Sequence, residues 1–280
     1  MQHLHPITTV ELFPQERSAL LQLLNALPAE QWANPTVCPG WTVHDVALHL
    51  LGDDIGIISA RRDNYREPAV SADLDLSQWH NLVSFINQRN ELWVQTTRRI
   101  SPRLLCEFLQ VTGEAIASHF AQLDQFALGV PVHWVGPEPA PVWLDTAREY
   151  TERWLHQQHI RDAVGQPGLK ERQWLAPVLE TFVHALPQTL RQINSPPGTT
   201  VQLIITGDAG GKWSAIRADQ TWILSTETAS MPDAQVTMDQ DIAWRLFTKG
   251  IGREEALQHV RQEGNILLAN KMLDMVSIIA

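Results

Sequence analysis

The sequence predicts a mainly α-helical protein that ends in a smaller α+β domain. Up to about residue 195, apolar residues recur at helical spacing, and proline or glycine interrupts them at intervals of roughly 20–25 residues. After that point the pattern changes to short alternating runs with glycine turns, and it then returns to helix. We therefore predict a helical bundle over residues 1–195 and an α+β domain over residues 196–280.

The composition indicates a soluble protein of a reducing cytoplasm. With 280 residues, 31.6 kDa and 44% hydrophobic residues, the chain can bury a substantial core without disulfide bonds. Its two cysteines, Cys38 and Cys106, form no paired-thiol motif, which argues against a disulfide scaffold or a zinc site built from cysteines. A net charge of −10 disfavours nucleic acid and anionic membranes as partners, and no secretory signal or membrane-spanning run is evident.

Six helices are predicted in the bundle. Leucines between Leu20 and Leu27 give the first helix an apolar face. Thr42 and Asp45 form a capping-box pattern at the start of the second helix, in which each side chain bonds the backbone amide of the other residue. The six predicted helices span residues 14–27, 42–62, 78–100, 103–126, 146–164 and 171–193.

The later helices carry capping and breaking signals. Ser77 and Ser101 are predicted to cap the third and fourth helices, and Pro102 suits the first turn of the fourth. Asp145 is predicted to cap the fifth helix, and Gly165 suits the left-handed position at its C-terminus. Between the fourth and fifth helices, the proline-rich segment 129–143 favours an ordered surface connection.

The α+β domain is predicted from four strand-like runs and the helices that follow them. The runs are VQLIITG, KWSAI, TWILST and AQVTMD, and the first two are joined by GDAGG, which is typical of a hairpin turn. Residues 241–247 and 254–266 are predicted to be helical, and a final helix or extended segment ends near the C-terminus.

Histidines and carboxylates at helix-turn spacing form the cluster that predicts chemistry. Glu152 and His156 are four residues apart, so their side chains lie one turn apart on the same helix face. If the second and fifth helices pack side by side, His49 faces this pair, and the three side chains would bind a divalent ion with one position open. The alternative is a solvent-facing Glu–His pair and a hydrogen-bonded core histidine, and spacing alone does not decide between them.

Two separated motifs resemble the mycothiol-dependent maleylpyruvate isomerase family. They are CPGWTVHDVALHL, which begins at Cys38, and ERWLH, which begins at Glu152. The segments AQVTMDQDIAWRLFTKG and HVRQEGNILLANKML resemble the sterol-carrier-like domain that follows the bundle in these proteins. The resemblance implies a DinB-like up-down four-helix bundle followed by a small sterol-carrier-like module.

The resemblance also implies a metal site. Carried over by position, the ligands are His49, Glu152 and His156, which would hold a divalent metal, expected to be Zn²⁺, and leave one position open. The chain departs from many relatives at His159, where they have an aspartate. Asp162 or Glu149 is therefore a candidate to orient a ligand imidazole, and the alternative is that His159 acts as a catalytic base or extra ligand.

Three residues outside this ligand set need an interpretation. Arg245 and Lys249 lie in the WRLFTKG segment and are candidates for the basic residue that contacts the thiol, with Arg245 also a candidate catalytic residue. Cys38 lies near a helix start, where a thiol can be reactive. We nevertheless interpret Cys38 as a small, half-buried turn residue.

The function implied by the resemblance is that of a metal-dependent enzyme. It would use a low-molecular-weight thiol such as mycothiol for isomerisation or thiol transfer on a small electrophilic substrate, because a metal lowers the pKa of a thiol and activates its sulfur. A metal-activated water would instead give hydrolysis. Two non-catalytic alternatives stay open, a binding protein for a small or apolar ligand and a metal-stabilised stress protein. The sequence does not specify the thiol, the second substrate or the oligomeric state.

Overall fold

The structure, a computed structural model, describes residues 5–66, 75, 78–226 and 231–278. By packing, the chain divides into two compact units. The bundle unit contains Thr9–Asp124 and Glu152–Gly168, and the mixed unit contains Gln125–Thr151 and Leu169–Ile278. This division passes through a helix, and the predicted domain boundary between residues 195 and 196 stays a prediction.

The bundle unit is built from long helices that agree with the first five predicted ones, although their ends differ by a few residues. A 3₁₀ turn, Ala29–Ala33, precedes the second helix, and a π-helical turn, Ile58–Arg62, extends it. The helices are α1 (Leu12–Ala26), α2 (Val43–Ile57), α3 (Trp79–Thr97), α4 (Pro102–Gln122) and the second half of α5 (Val142–Val164). Helices α1 and α2 pack on α4, and α3 packs on α2.

The capping predictions for α2 and α4 are confirmed. The Thr42 side chain accepts a hydrogen bond from the Asp45 amide, and Asp45 Oδ2 accepts one from the Thr42 amide at 3.0 Å. Ser101 Oγ accepts from the Leu104 amide, and Pro102 is the first residue of α4. These bonds satisfy backbone donors that a helix start leaves without intrahelical partners.

The start of α5 differs from the prediction, whereas its end agrees. Gly165 has a φ of +66°, the left-handed conformation expected after the last helical residue. Asp145 does not cap the helix, because α5 begins at Val142 and Asp145 lies in its first turn. Pro141, whose missing amide suits the position before a helix, marks this earlier start. The predicted cap at Ser77 lies outside the described residues.

A continuous apolar core places α2 beside the second half of α5. Ile160 and Val164 of α5 share this core with side chains of α1, α2 and α4. Its most deeply buried members are Leu20, Leu24, Val43, Val46, Ala47, Leu48, Leu50, Leu51, Leu105, Leu109 and Ile160. Within the bundle unit, α2 and α5 therefore pack side by side, which is the arrangement that a site shared by these two helices requires.

The mixed unit contains a two-stranded pair, a five-stranded sheet and short helices. The predicted ordered connection forms the antiparallel strands β1 (Leu128–Pro131) and β2 (Pro139–Pro141), with Trp134 and Trp143 buried. The five-stranded sheet has the order β5-β4-β3-β6-β7, in which β3 and β6 are parallel and the other neighbours antiparallel. Its strands are β3 (Thr200–Thr206), β4 (Gly211–Arg217), β5 (Trp222–Ser225), β6 (Ala234–Asp239) and β7 (Arg261–Gly264).

The four predicted strands and the GDAGG hairpin are confirmed, but two predicted helices are wrong. The helix predicted over 171–193 is divided into α6 (Arg172–Phe182) and α7 (Ala185–Leu190). In a continuous helix the ring of Pro187 would clash with the carbonyl of residue 183, so the helix ends and restarts there. After α8 (Gln240–Phe247), the helix predicted over 254–266 is replaced by α9 (Arg253–Leu257), strand β7 and α10 (Ile266–Met272).

Pairing with β6 explains why β7 is a strand. Gly264 has a φ of +74°, and a side chain there would place its Cβ only 2.3 Å from the Asp233 carbonyl oxygen. A glycine is therefore required where β7 ends against β6, and this tertiary contact overrides the helical pattern. In the described part of the chain, no helix is long and apolar enough to cross a membrane.

Candidate metal centre

Helices α2 and α5 bring the three predicted metal ligands together. His49 projects from α2, and its Nε2 lies 3.5 Å from Glu152 Oε1. On α5, His156 Nε2 lies 3.0 Å from the same carboxylate oxygen. The rings of His49 and His156 are 4.5 Å apart at their centroids, and one donor atom from each residue falls within 4.8 Å of the others. The structure thus unites residues that are about a hundred positions apart in the sequence.

The donor set fits a divalent transition metal. Donors about 2.0–2.2 Å from a tetrahedral zinc ion are about 3.4 Å from one another, close to the separations seen between these side chains. Two imidazoles and one carboxylate are ligand types that zinc accepts, and three protein ligands leave a fourth position. The Nδ1 atom of His156 is also buried without a hydrogen-bond partner among the described residues. The side chains of His49 and His156 are mostly buried, whereas that of Glu152 is 30% exposed.

Glu152 and His156, the two predicted ligands on α5, form an ion pair. Desolvation raises the pKa of Glu152, but hydrogen bonds and charge from His156 and His49 outweigh it and hold that pKa well below its ordinary value. Desolvation lowers the pKa of His156, yet its interactions with Cys38 and Glu152 raise that pKa to about 10. A ligand imidazole has to be neutral, so a metal ion would replace the proton that His156 carries in this pair.

Two further side chains border His49. Asp53, one turn along α2, places Oδ2 at 3.3 Å from His49 Nε2, which adds a second carboxylate to the cluster. The Trp41 ring lies 5.2 Å from the His49 ring, and its Nε1 donates a 2.7 Å hydrogen bond to Glu91 Oε2. Trp41 also packs against the bundle core, so it forms an anchored wall of the site.

Cys38 and His159 form a second cluster beside the first, and this pairing was not predicted from the sequence. Cys38 Sγ lies 3.2 Å from His159 Nδ1, and donor atoms of Cys38, His156 and His159 all lie within 4.8 Å of one another. Burial raises the pKa of the Cys38 thiol, but interactions with His156 and His159 outweigh it and lower that pKa to about 6. Burial lowers the pKa of His159. The sequence feature that points to this cluster is that Cys38 lies in the same motif as His49, CPGWTVHDVALHL.

Of the remaining predicted site residues, Asp162 belongs to the bundle unit, whereas Glu149, Arg245 and Lys249 belong to the mixed unit. Glu149 belongs to the mixed unit and accepts a hydrogen bond from Arg148. Arg245 also belongs to the mixed unit, at the end of α8, and its guanidinium stacks 4.2 Å above the centroid of the Trp244 ring. Lys249 follows α8 with a φ of +59°. The roles of Glu149, Asp162, Arg245 and Lys249 stay predictions.

A buried ion network occupies the adjacent positions of the same helices. Asp54 accepts hydrogen bonds from Arg17 at 2.7 Å, from Arg153 at 2.9 Å and from Thr112 at 2.7 Å. The network depends on Gly113, since a Cβ there would lie 2.6 Å from Arg17 Cγ. No sequence motif indicates this network, although Asp54 and Arg153 directly follow Asp53 and Glu152.

Comparison with known proteins defines the family. The model of the mycothiol maleylpyruvate isomerase N-terminal domain matches residues 13–161, more than half of the chain. The chain belongs to this family. Two uncharacterized proteins from two strains of Mycobacterium tuberculosis are each 27% identical to it over 206 residues, which cover 71% of this chain and 73% of theirs.

The family assignment agrees with the fold. A crystal structure of the mycothiol-dependent maleylpyruvate isomerase aligns with a TM-score of 0.50 at 10% identity, and one of a mutant of it aligns with 0.50 at 9%. Each alignment covers 85% of this chain and 86% of the other. At such identities the likeness shows the fold alone. The predicted DinB-like bundle followed by a smaller sterol-carrier-like module is thereby confirmed.

Proposed function

We propose that this protein is a metal-dependent enzyme that uses a low-molecular-weight thiol, such as mycothiol, to act on a small electrophilic substrate. The proposed reaction is isomerisation, as in the maleylpyruvate isomerase that names the family, or thiol transfer. The observation that carries the proposal is the convergence of His49, Glu152 and His156 within the bundle unit. His49, Glu152 and His156 are the proposed ligands of a divalent metal, with Zn²⁺ the expected ion.

The chain's own residues prepare the site for a cation. Glu152 supplies a carboxylate to which both imidazoles point, at 3.0 Å and 3.5 Å. Asp53 adds negative charge next to His49, and the low exposure of the two imidazoles limits competition from water. When bound, the metal would lower the pKa of a thiol and stabilise the thiolate as a nucleophile.

The exposed fractions of the three proposed ligands indicate the side from which an external molecule would approach. Glu152 is the most exposed of the three proposed ligands, so an external molecule would approach from its side. Trp41 lies against His49 and gives the site an apolar wall. A wall of this kind excludes water and would strengthen the interaction between a thiolate and a cation.

The first test is metal content, measured by elemental analysis of protein purified without chelator and without affinity histidines. We expect about one equivalent in the wild type and a loss of most of it in His156→Ala. His133→Ala, which removes an exposed histidine of the mixed unit, is the matched control and should retain the metal. A wild type that stays empty after loading with zinc, nickel, iron or manganese would overturn the proposal.

The second test is turnover. Metal-loaded protein should isomerise maleylpyruvate, or transfer thiol to an electrophile, only when mycothiol or another small thiol is added. His156→Ala should lose this activity and His133→Ala should keep it. Turnover without any thiol would exclude the thiol-dependent reaction and favour metal-activated water as the nucleophile.

A further inference from the structure

A short turn fixes Cys38 in position. The Trp41 amide donates a 3.0 Å hydrogen bond to the Cys38 carbonyl, which closes a four-residue turn. Pro39 presets the second position of this turn, and Gly40 takes the third with a φ of +77°, as in a type II turn. The turn is thus determined by the Cys-Pro-Gly-Trp sequence, and it holds the Cys38 backbone in one conformation.

A second set of contacts fastens this segment to α5. Asn34 Nδ2 donates a 3.0 Å hydrogen bond to the Ala163 carbonyl, and the Thr36 hydroxyl accepts one from the Cys38 amide at 3.2 Å. The Thr36 amide pairs with the Trp41 carbonyl at 3.0 Å. The thiol is therefore presented to the α5 face that carries His156 and His159, rather than lying there by chance.

The side chains around the Cys38 thiol are metal-ligand types. His159 follows His156 by three residues, so both imidazoles lie on the same face of α5. Cys38 Sγ is 3.2 Å from His159 Nδ1, and its distance to the donor atom of His156 is within 4.8 Å. One thiolate and two imidazoles form a donor set that zinc and cobalt bind well.

We propose that Cys38, His159 and His156 form a second set of metal ligands that overlaps the first and shares His156. This inference deepens the proposed function and rests on its metal site. Both sets include His156, and the inference is that they serve a single ion, for which the Cys38 thiolate would be an alternative ligand. An external thiol then competes with Cys38: the incoming thiol gives up its proton as it binds, and the departing Cys38 thiolate takes up a proton.

The test uses cobalt(II) as the probe, bound to the full-length protein. A thiolate ligand gives cobalt(II) a charge-transfer absorption band in the near ultraviolet, whereas imidazole and carboxylate ligands do not. We expect this band in the wild type and its loss in Cys38→Ser, which should still bind cobalt through His49, Glu152 and His156. Cys106→Ser removes the other cysteine, which is buried in the bundle core, and should retain the band.

Protection of the thiol is an independent measurement on the wild type, which avoids any folding defect of a variant. Zinc should slow the reaction of Cys38 with an aromatic disulfide reagent by about tenfold or more, because a coordinated sulfur in this partly buried turn is shielded from a bulky reagent. Unchanged reactivity with zinc bound would overturn the inference.

The outcomes separate this inference from the proposed function. If the wild type binds cobalt without the thiolate band, ligation by Cys38 is overturned and the first ligand set stays intact. The same conclusion follows if the band is present in the wild type and survives in Cys38→Ser. A wild type that binds no cobalt would overturn both. Addition of 2-mercaptoethanol to cobalt-loaded Cys38→Ser should restore a thiolate band, since the position vacated by Cys38 then accepts an external thiol.

Discussion

The candidate metal centre and the buried ion network are built from adjacent residues of the same two helices, yet their charges are balanced differently. Asp53 and Glu152 face the metal centre, while Asp54 and Arg153 face the network. Successive residues of a helix point about 100° apart, so a shift of one position along the helix decides which cluster a side chain joins. The Asp54 and Arg153 side chains are only 1% and 2% exposed, whereas those of Asp53 and Glu152 are 26% and 30% exposed.

This contrast separates a structural cluster from a candidate binding site. In the network, two arginines neutralise Asp54, and a hydroxyl completes its hydrogen bonds. In the candidate metal centre, carboxylates meet imidazoles, which become cations only by taking up protons that a metal ion can replace. A buried charge that is fully paired holds helices together, and a partly exposed set of donors can accept a cation from outside.

The largest expected effect is on stability, and it comes from the network. Asp54→Ala should lower the free energy of unfolding by about 3–5 kcal/mol, because it leaves Arg17 and Arg153 buried without their shared carboxylate. Urea unfolding followed by circular dichroism measures this loss. Asp53→Ala, the neighbouring change on α2, is the control and should cost far less. Equal losses in the two variants would contradict the distinction between the clusters.

A pH-dependent effect should come from Glu16, whose pKa is influenced by the charges of the network. Burial raises the pKa of Glu16 from 4.5 to about 7, although Arg17 and Arg153 oppose the shift. The folded state therefore keeps a proton that the unfolded chain releases near pH 4.5. The retained proton stabilises the folded state by about 3 kcal/mol in total. This stabilisation is fully present below about pH 4.5 and is lost as the pH rises through about 7.

Glu16→Gln tests this effect because glutamine has no proton to lose. Unfolding measured between about pH 5 and pH 8 should show a decline in the wild type that the variant lacks. The variant should be the more stable protein at the alkaline end. Parallel pH profiles for the two proteins would show that Glu16 is ionised in the folded state.

Metal binding should stabilise the bundle by a smaller amount. Zinc at a hundredfold excess over its Kd should raise the free energy of unfolding of the wild type by about 2.7 kcal/mol. The same zinc concentration should not stabilise His156→Ala, whose ligand set is incomplete. Thermal unfolding with and without zinc measures the difference, and equal stabilisation of both proteins would place the ion elsewhere.

The smallest expected effect concerns the carboxylate beside His49. Asp53→Asn keeps the shape of the side chain and removes its charge. It should weaken zinc affinity about tenfold, the lower end of the roughly 10–100-fold losses seen when carboxylates next to ligand histidines are changed. Competition with a chromophoric chelator measures the change. Asp54→Asn is not a suitable control because it disturbs folding, whereas His133→Ala should leave zinc affinity unchanged. Unaltered affinity in Asp53→Asn would show that this carboxylate does not act on the ion.

Much of the fold was predictable because its signals are local. The capping box at Thr42 and Asp45, the left-handed Gly165 and the GDAGG hairpin depend on residues a few positions apart, and the structure confirms them. The helix predicted over 254–266 is wrong because a distant contact decides the structure there. Residues 261–264 form a strand because β6 offers an edge to pair with, and no signal within the segment reveals that partner.

The sequence by itself determined the bundle, its motifs and three of the side chains that meet at the candidate centre. Helical periodicity places Glu152 and His156 on one face of α5, and the family resemblance adds His49. Only the tertiary structure decided that Cys38 and His159 meet beside them, and that Asp54 forms a separate buried ion network with Arg17 and Arg153. The reason is physical. Spacing along a helix fixes which side chains share a face, but the approach of a turn to a helix depends on packing between segments far apart in the chain.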